Sequence, residues 1–180
     1  MKKNKKNNLT PAGKTALTGI LAALTLALSF IERILCAFLP LPPGVRPGLS
    51  NVAVMFSCSV LGLPFALGII IIKAGFVFLV SGAYAGMISL SGGFLSVLSI
   101  WLLLKLFSKK MSFLGISVAS AVMHNFGQLI AASLIVGSAL YMYLLPVLLI
   151  SAIVFGSVTG ILLNAVLPQI LRIAPKLDKH

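Results

Sequence analysis

The chain has 180 residues, of which 59% are hydrophobic and only 9% charged, and its mean hydropathy is +1.14. A soluble domain carries about 25% charged residues, so this composition excludes a soluble enzyme and identifies an integral membrane protein with several spans. Fourteen Lys and Arg against two acids give a net charge of +12; because the basic residues flank apolar runs, that charge reads as membrane topology rather than nucleic-acid binding.

The first element follows a basic stretch (Lys2, Lys3, Lys5, Lys6, Lys14) and resembles a signal peptide at first sight. Its apolar run is too long for a signal core and has no clear small-residue cleavage site, so it reads as a retained helix over roughly 14–38. It stops at the stiff segment Leu39-Pro40-Leu41-Pro42-Pro43. A second, short helix is predicted over 50–62, and a third from Pro64 to Val80. The break at Gly62-Leu63-Pro64 also allows a continuous bent hairpin. A Gly/Ser/Tyr-rich connection then leads to a fourth helix over 88–107, a fifth over 112–136 and a sixth over 140–168. The expected fold class is an all-α membrane protein with six transmembrane helices. Residues 1–13 form a basic N-terminal tail, 14–170 the transmembrane domain and 171–180 a basic C-terminal tail.

Orientation follows from the positive-inside rule. With both termini cytoplasmic, eleven basic residues lie inside: the five before the first span, Lys105, Lys109 and Lys110 between the fourth and fifth, and Arg172, Lys176 and Lys179 after the sixth. Arg33 and Arg46 then map to the outer side and Lys73 to mid-membrane. Glu32, in the outer half of the first helix, is the one acid outside the C-terminal tail. Charges at membrane depth are costly and mark a structural pair or a site. Cys36 and Cys58 have neither metal nor redox spacing and read as plain membrane residues.

Six groups of residues invite chemistry. Gly19, Ala23 and Ala27, extended by Ala12 and Ala16, form a small-residue row that lets a second helix approach closely, either within this bundle or from a separate membrane subunit. Glu32 and Arg33 point about 100° apart; Arg33 suits snorkelling to the interface, and Glu32 suits an ion pair with Lys73 or Arg46. In the loop Pro42-Pro43-Gly44-Val45-Arg46-Pro47-Gly48-Leu49-Ser50-Asn51, Ser50 or Asn51 can cap the second helix, and Arg46 beside that helix N-terminus suits an anion; an ordinary capped turn is the alternative. Lys73 needs a partner or a ligand. His124, Asn125 and Gln128 cluster on the fifth helix, where they serve a cavity or interhelical hydrogen bonds. One internal His without a second soft ligand argues against a metal site. Tyr84, Tyr141 and Tyr143 map to the outer interface, the latter two as an aromatic belt. Glu32, Arg46, Asn51, Lys73, Tyr84, His124 and Gln128 thus all fall in the middle or outer half, and the expectation is an outward-opening, net-positive pocket for a small molecule with an anionic group and an apolar body.

The Pro-rich loop with Arg46-Pro47-Gly48-Leu49-Ser50-Asn51-Val52, the basic Lys73 and His124-Asn125-Phe126-Gly127-Gln128 together resemble the Gx transporter family, also labelled heptaprenyl diphosphate synthase component I. The resemblance covers nearly the whole chain after residue 14; Pro47 and Ser50 stand where Lys and Ala are more typical. That family is similar to the substrate-binding S components of energy-coupling factor transporters. The resemblance implies an S-component-like six-helix bundle, a pocket beneath the first loop, docking of a transmembrane coupling subunit on the small-residue row of the first helix, and two ATPase subunits as the energy source.

Prenyl chain elongation needs magnesium held by clustered carboxylates. Two acids in the whole chain cannot supply such a cluster, so the chain reads as not an enzyme, without cofactor or metal. The expected function is the substrate-binding membrane subunit of an uptake system for a vitamin, flavin or quinone or isoprenoid precursor, in the bacterial cytoplasmic membrane. A non-catalytic accessory subunit of a heptaprenyl diphosphate synthase is the alternative. A self-sufficient secondary transporter is disfavoured by the absence of repeats and the single intramembrane carboxylate.

Overall fold

A computed structural model describes residues 10–38, 48–107, 112–137 and 143–173, with the side chains of 36, 37 and 170–173 left aside. Residues 1–9 and 174–180, the loop carrying Arg46, Lys109 and Lys110, and Tyr141 lie outside the described residues. The described chain forms six helices: α1 Pro11–Phe38, α2 Ser50–Val60, α3 Leu63–Ser81, α4 Ala83–Phe107, α5 Phe113–Val136 and α6 Leu145–Ile173.

Local chemistry sets the boundaries. Thr10 starts α1 by accepting from the Gly13 amide through Oγ1 at 3.2 Å, with Pro11 in the first turn. Ser112 caps α5 in the same way, accepting from Gly115 N at 3.3 Å, and Gly137 closes it with φ +68°. Leu61 N and Gly62 N both donate to Ser57 O, ending α2, and Gly62 turns the chain with φ +98° before Pro64 opens α3. The hairpin therefore breaks rather than bends. The connection expected over 81–87 shrinks to Gly82 alone, at φ +86°. A Cβ on Gly86 would lie 2.8 Å from Phe78 Cβ, so this glycine serves the close corner between α3 and α4 and belongs to the helix. α6 starts five residues later than predicted and continues through Pro168 to Ile173.

The expected six helices are present among the described residues, and they differ in length. Five helices are long and apolar enough to cross a membrane. α2, at 11 residues, spans only about 16 Å at 1.5 Å per residue, about half the hydrocarbon thickness. It is also the most buried helix: all its residues except Asn51 and Val52 are buried. α3, α4, α5 and α6 pack in chain order, each on the next, while α2 is wedged among α1, α3, α4 and α6. The core around it includes Met55, Phe56, Ile69, Val97, Ile100, Ile116 and Leu163.

Glycines bring the later helices together. A Cβ on Gly160 would meet Leu114 Cα at 2.6 Å, and one on Gly156 would meet Val118 Cα at 2.9 Å. This pair is a GxxxG contact on α6. Gly127 similarly admits the Ser91 carbonyl of α4, and Ser91 Oγ donates to Gly127 O at 3.0 Å. On the outside, Ile20, Ile71, Leu79, Leu134 and Ile150 are each more than 60% exposed, the apolar exterior that hydrocarbon requires.

A candidate pocket beside a carboxylate-capped helix

The site is built from the start of α2. The first amides of a helix lack partners within it, and the residue before α2, Leu49, offers no side-chain cap. Glu32 of α1 supplies the acceptor instead. Its Oε1 takes the Ser50 amide at 2.7 Å, and its Oε2 takes the Ser50 hydroxyl at 3.3 Å. The carboxylate is 4% exposed, and the positive end of the α2 dipole favours it. Lys73 of α3 donates to the same hydroxyl at 2.8 Å. Glu32 and Lys73 therefore meet on Ser50 Oγ, which accepts from the ammonium and donates to the carboxylate.

This arrangement corrects one sequence expectation. Ser50 and Asn51 do not cap α2 with their side chains, and the helix N-terminus is not open to a ligand anion. Its first three amides are taken, by Glu32, by Gly48 O at 2.9 Å and by Leu49 O at 3.1 Å. The anion at that terminus is Glu32 itself.

Beside the first turns of α2 lies a concavity of about 510 Å³ of atom-free space, open solvent included, bounded by α2, α3, α5 and α6. Asn51, Lys73, His124, Asn125 and Gln128 line it together. Gly48 also lines it; Arg46 lies two residues earlier in the sequence. Glu32 lies behind Ser50 rather than in the lining, and Tyr84, 40% exposed in the first turn of α4, lies outside it. Gly19, Ala23 and Ala27 are exposed along α1, and a Cβ on Gly19 would have nothing within 4 Å. Among the described residues, nothing packs on the row at Gly19.

Several lining residues escaped the sequence reading. On α5, Ser117, Ser120 and Ala121 precede His124 and Gln128 at spacings of three and four; on α6, Ser151, Phe155 and Thr159 repeat every four. Both stripes are legible as one helix face each. Asn125 has two tasks, lining the cavity and donating through Nδ2 to Leu148 O of α6 at 2.8 Å. Gly92 of α4 sits behind Gln128 and His124: a Cβ there would come 2.6 Å from Gln128 Cγ.

No curated protein and no solved structure matches the chain. A family model described as heptaprenyl diphosphate synthase component I matches residues 21–166, a stretch that contains the Glu32–Ser50–Lys73 link and every residue of the pocket, and the chain belongs to that family.

Proposed function

We propose that this chain is the substrate-binding membrane subunit of a small-molecule uptake system of the energy-coupling type, and not itself an enzyme. The observation that carries the reading is the pocket. A cationic side chain and a set of amide, imidazole and hydroxyl groups from four helices converge on one concavity in an otherwise apolar bundle. Polar groups at membrane depth are retained where they serve a ligand or each other. The exposed small-residue row on α1 suits docking of a transmembrane coupling subunit, with two ATPase subunits supplying energy.

The test is native mass spectrometry of the protein gently extracted from its own membranes, wild type beside Lys73→Ala. The expected result is a small molecule retained by the wild type and lost from the variant. A second reading, a non-catalytic accessory subunit of a heptaprenyl diphosphate synthase, is favoured by the family's own description. It gains if the same preparation carries a soluble prenyltransferase subunit and no small molecule.

A further inference from the structure

We propose that Gly92, on a helix that contributes nothing to the pocket lining, is a positioning residue for the pocket's α5 wall and sets the width open to a ligand there. The inference rests on the uptake reading and deepens it, because it names a determinant of ligand fit at the same pocket. None of the lining residues belongs to α4, yet α4 packs closely on α5, and Gly92 stands directly behind two of the polar residues of that wall. A Cβ on Gly92 would lie 2.6 Å from Gln128 Cγ, 2.9 Å from His124 O and 3.2 Å from His124 Cε1. Carbon atoms in ordinary contact are about 3.5–4.0 Å apart, so one methyl group would have to displace Gln128 by about 1 Å.

The direction of that displacement follows from how the two helices cross. Gly127, between His124 and Gln128 in the sequence, faces Gly92: a Cβ on it would come 2.8 Å from Ser91 O and 3.1 Å from Gly92 Cα. Ser91 Oγ donates to Gly127 O at 3.0 Å. Backbone meets backbone here, as it does where small residues let helices approach in a membrane. The space open to Gln128 is the pocket that it lines, so an added methyl group pushes its amide into the cavity. The His124 carbonyl yields only with α5 itself, which carries Ser117, Ser120 and Asn125 of the same wall. Either response narrows the pocket. Hydrogen bonds hold over a range of about 0.5 Å, so a shift of this size breaks a bond from Gln128 or His124 to a ligand. The neighbouring Gly93 faces the other way. Its Cβ would overlap Ile70 Cγ2 of α3 at 2.6 Å, within the core and outside the lining. The two glycines therefore offer the same added methyl group on one helix, once toward the pocket wall and once away from it.

The chain has two histidines, His124 and His180. In a His180→Gln background, histidine labelled with carbon-13 at Cε1 gives one imidazole NMR signal, from His124, for the full chain in lipid nanodiscs. Gly92→Ala should move that signal by more than its line width, and Gly93→Ala should leave it in place. Native mass spectrometry should show the bound-to-free ratio of the co-purified small molecule reduced about tenfold by Gly92→Ala, the loss from one unmade hydrogen bond, and unchanged by Gly93→Ala. An unmoved signal in Gly92→Ala, or equal effects of the two variants on the signal or on ligand retention, overturns the assignment. If Gly92→Ala does not fold, combining it with Gln128→Ala removes the tightest overlap and should restore folding; failure of the double variant as well overturns the proposal. A wild type that retains no small molecule refutes the uptake reading, while the NMR comparison still decides whether Gly92 positions the wall.

Discussion

The sharpest structural prediction concerns Glu32. Replacing it with Ala leaves the Ser50 amide without an acceptor at a residue that is fully buried, and leaves Lys73 without the carboxylate on the far side of the shared hydroxyl. Breaking a buried charged arrangement by removing one partner costs about 3–5 kcal/mol. Glu32→Gln keeps an oxygen for the amide but loses the charge, and a charge-assisted bond exceeds a neutral one by roughly 1–2 kcal/mol. For a chain of this size each kcal/mol moves the melting temperature by about 2–4 °C. The Ala variant should therefore melt about 6–20 °C below wild type and the Gln variant about 2–8 °C below. Cys58 provides the readout: its thiol is in no disulfide and is buried on α2, so a thiol-reactive fluorogenic dye reports exposure of that helix in a Cys36→Ser background. An Ala variant melting within about a degree of wild type would show that Glu32 does not hold α2, and a Gln variant as damaged as Ala would show that the charge, not the cap, is what matters.

Other consequences can be checked with the same preparation. Gly127→Ala, whose Cβ would come 2.8 Å from the Ser91 carbonyl, and Gly160→Ala, 2.6 Å from Leu114 Cα, should each destabilise by about 1–3 kcal/mol because backbone rather than a flexible side chain must yield; unchanged melting would mean that the helices separate freely. Lys73→Ala should abolish binding of the co-purified ligand while leaving a measurable cooperative melt, and undiminished affinity would remove Lys73 from the site. Gly19→Leu and Ala23→Leu project from the exposed side of α1 and should spare ligand binding but block uptake in cells; normal uptake by both would refute the docking face.

How much was legible in the sequence depended on the scale of the signal. Long apolar runs with basic flanks gave six expected helices, and five of them are long and apolar enough to cross a membrane. The start of α4 was missed because Ser81-Gly82-Ala83-Tyr84-Ala85-Gly86 has a loop-like composition, whereas only Gly82 turns and Gly86 is there for Phe78. Asn51, Lys73, His124, Asn125 and Gln128 stand out as polar residues in apolar surroundings, and the structure brings them to one cavity. Tyr84 stands out for the same reason and lies elsewhere, so depth along the helix is readable and direction around it is less so. Ser50 was read, with Asn51, as a possible cap; that it is the shared partner of two charges 41 positions apart, Glu32 and Lys73, is a tertiary fact with no local signature. The close contacts at Gly127, Gly156 and Gly160 were not read from the sequence, because glycine spacing alone does not say which neighbour fills the notch.

The length of α2 has a consequence for how the chain is assembled in the membrane. Helices enter the bilayer in the order of their synthesis, and a segment of about 16 Å with buried serines at positions 50, 57 and 59 has no stable place in lipid by itself. The surfaces that enclose it belong partly to α4 and α6, the latter made after the other described helices. During that interval its partners are α1 and α3, and the bond between Glu32 and the Ser50 amide, made across only 18 residues, can form before α6 exists. Glu32 thus tethers a helix that would otherwise lie stranded at the membrane surface, and the finished bundle closes around a part already held in position.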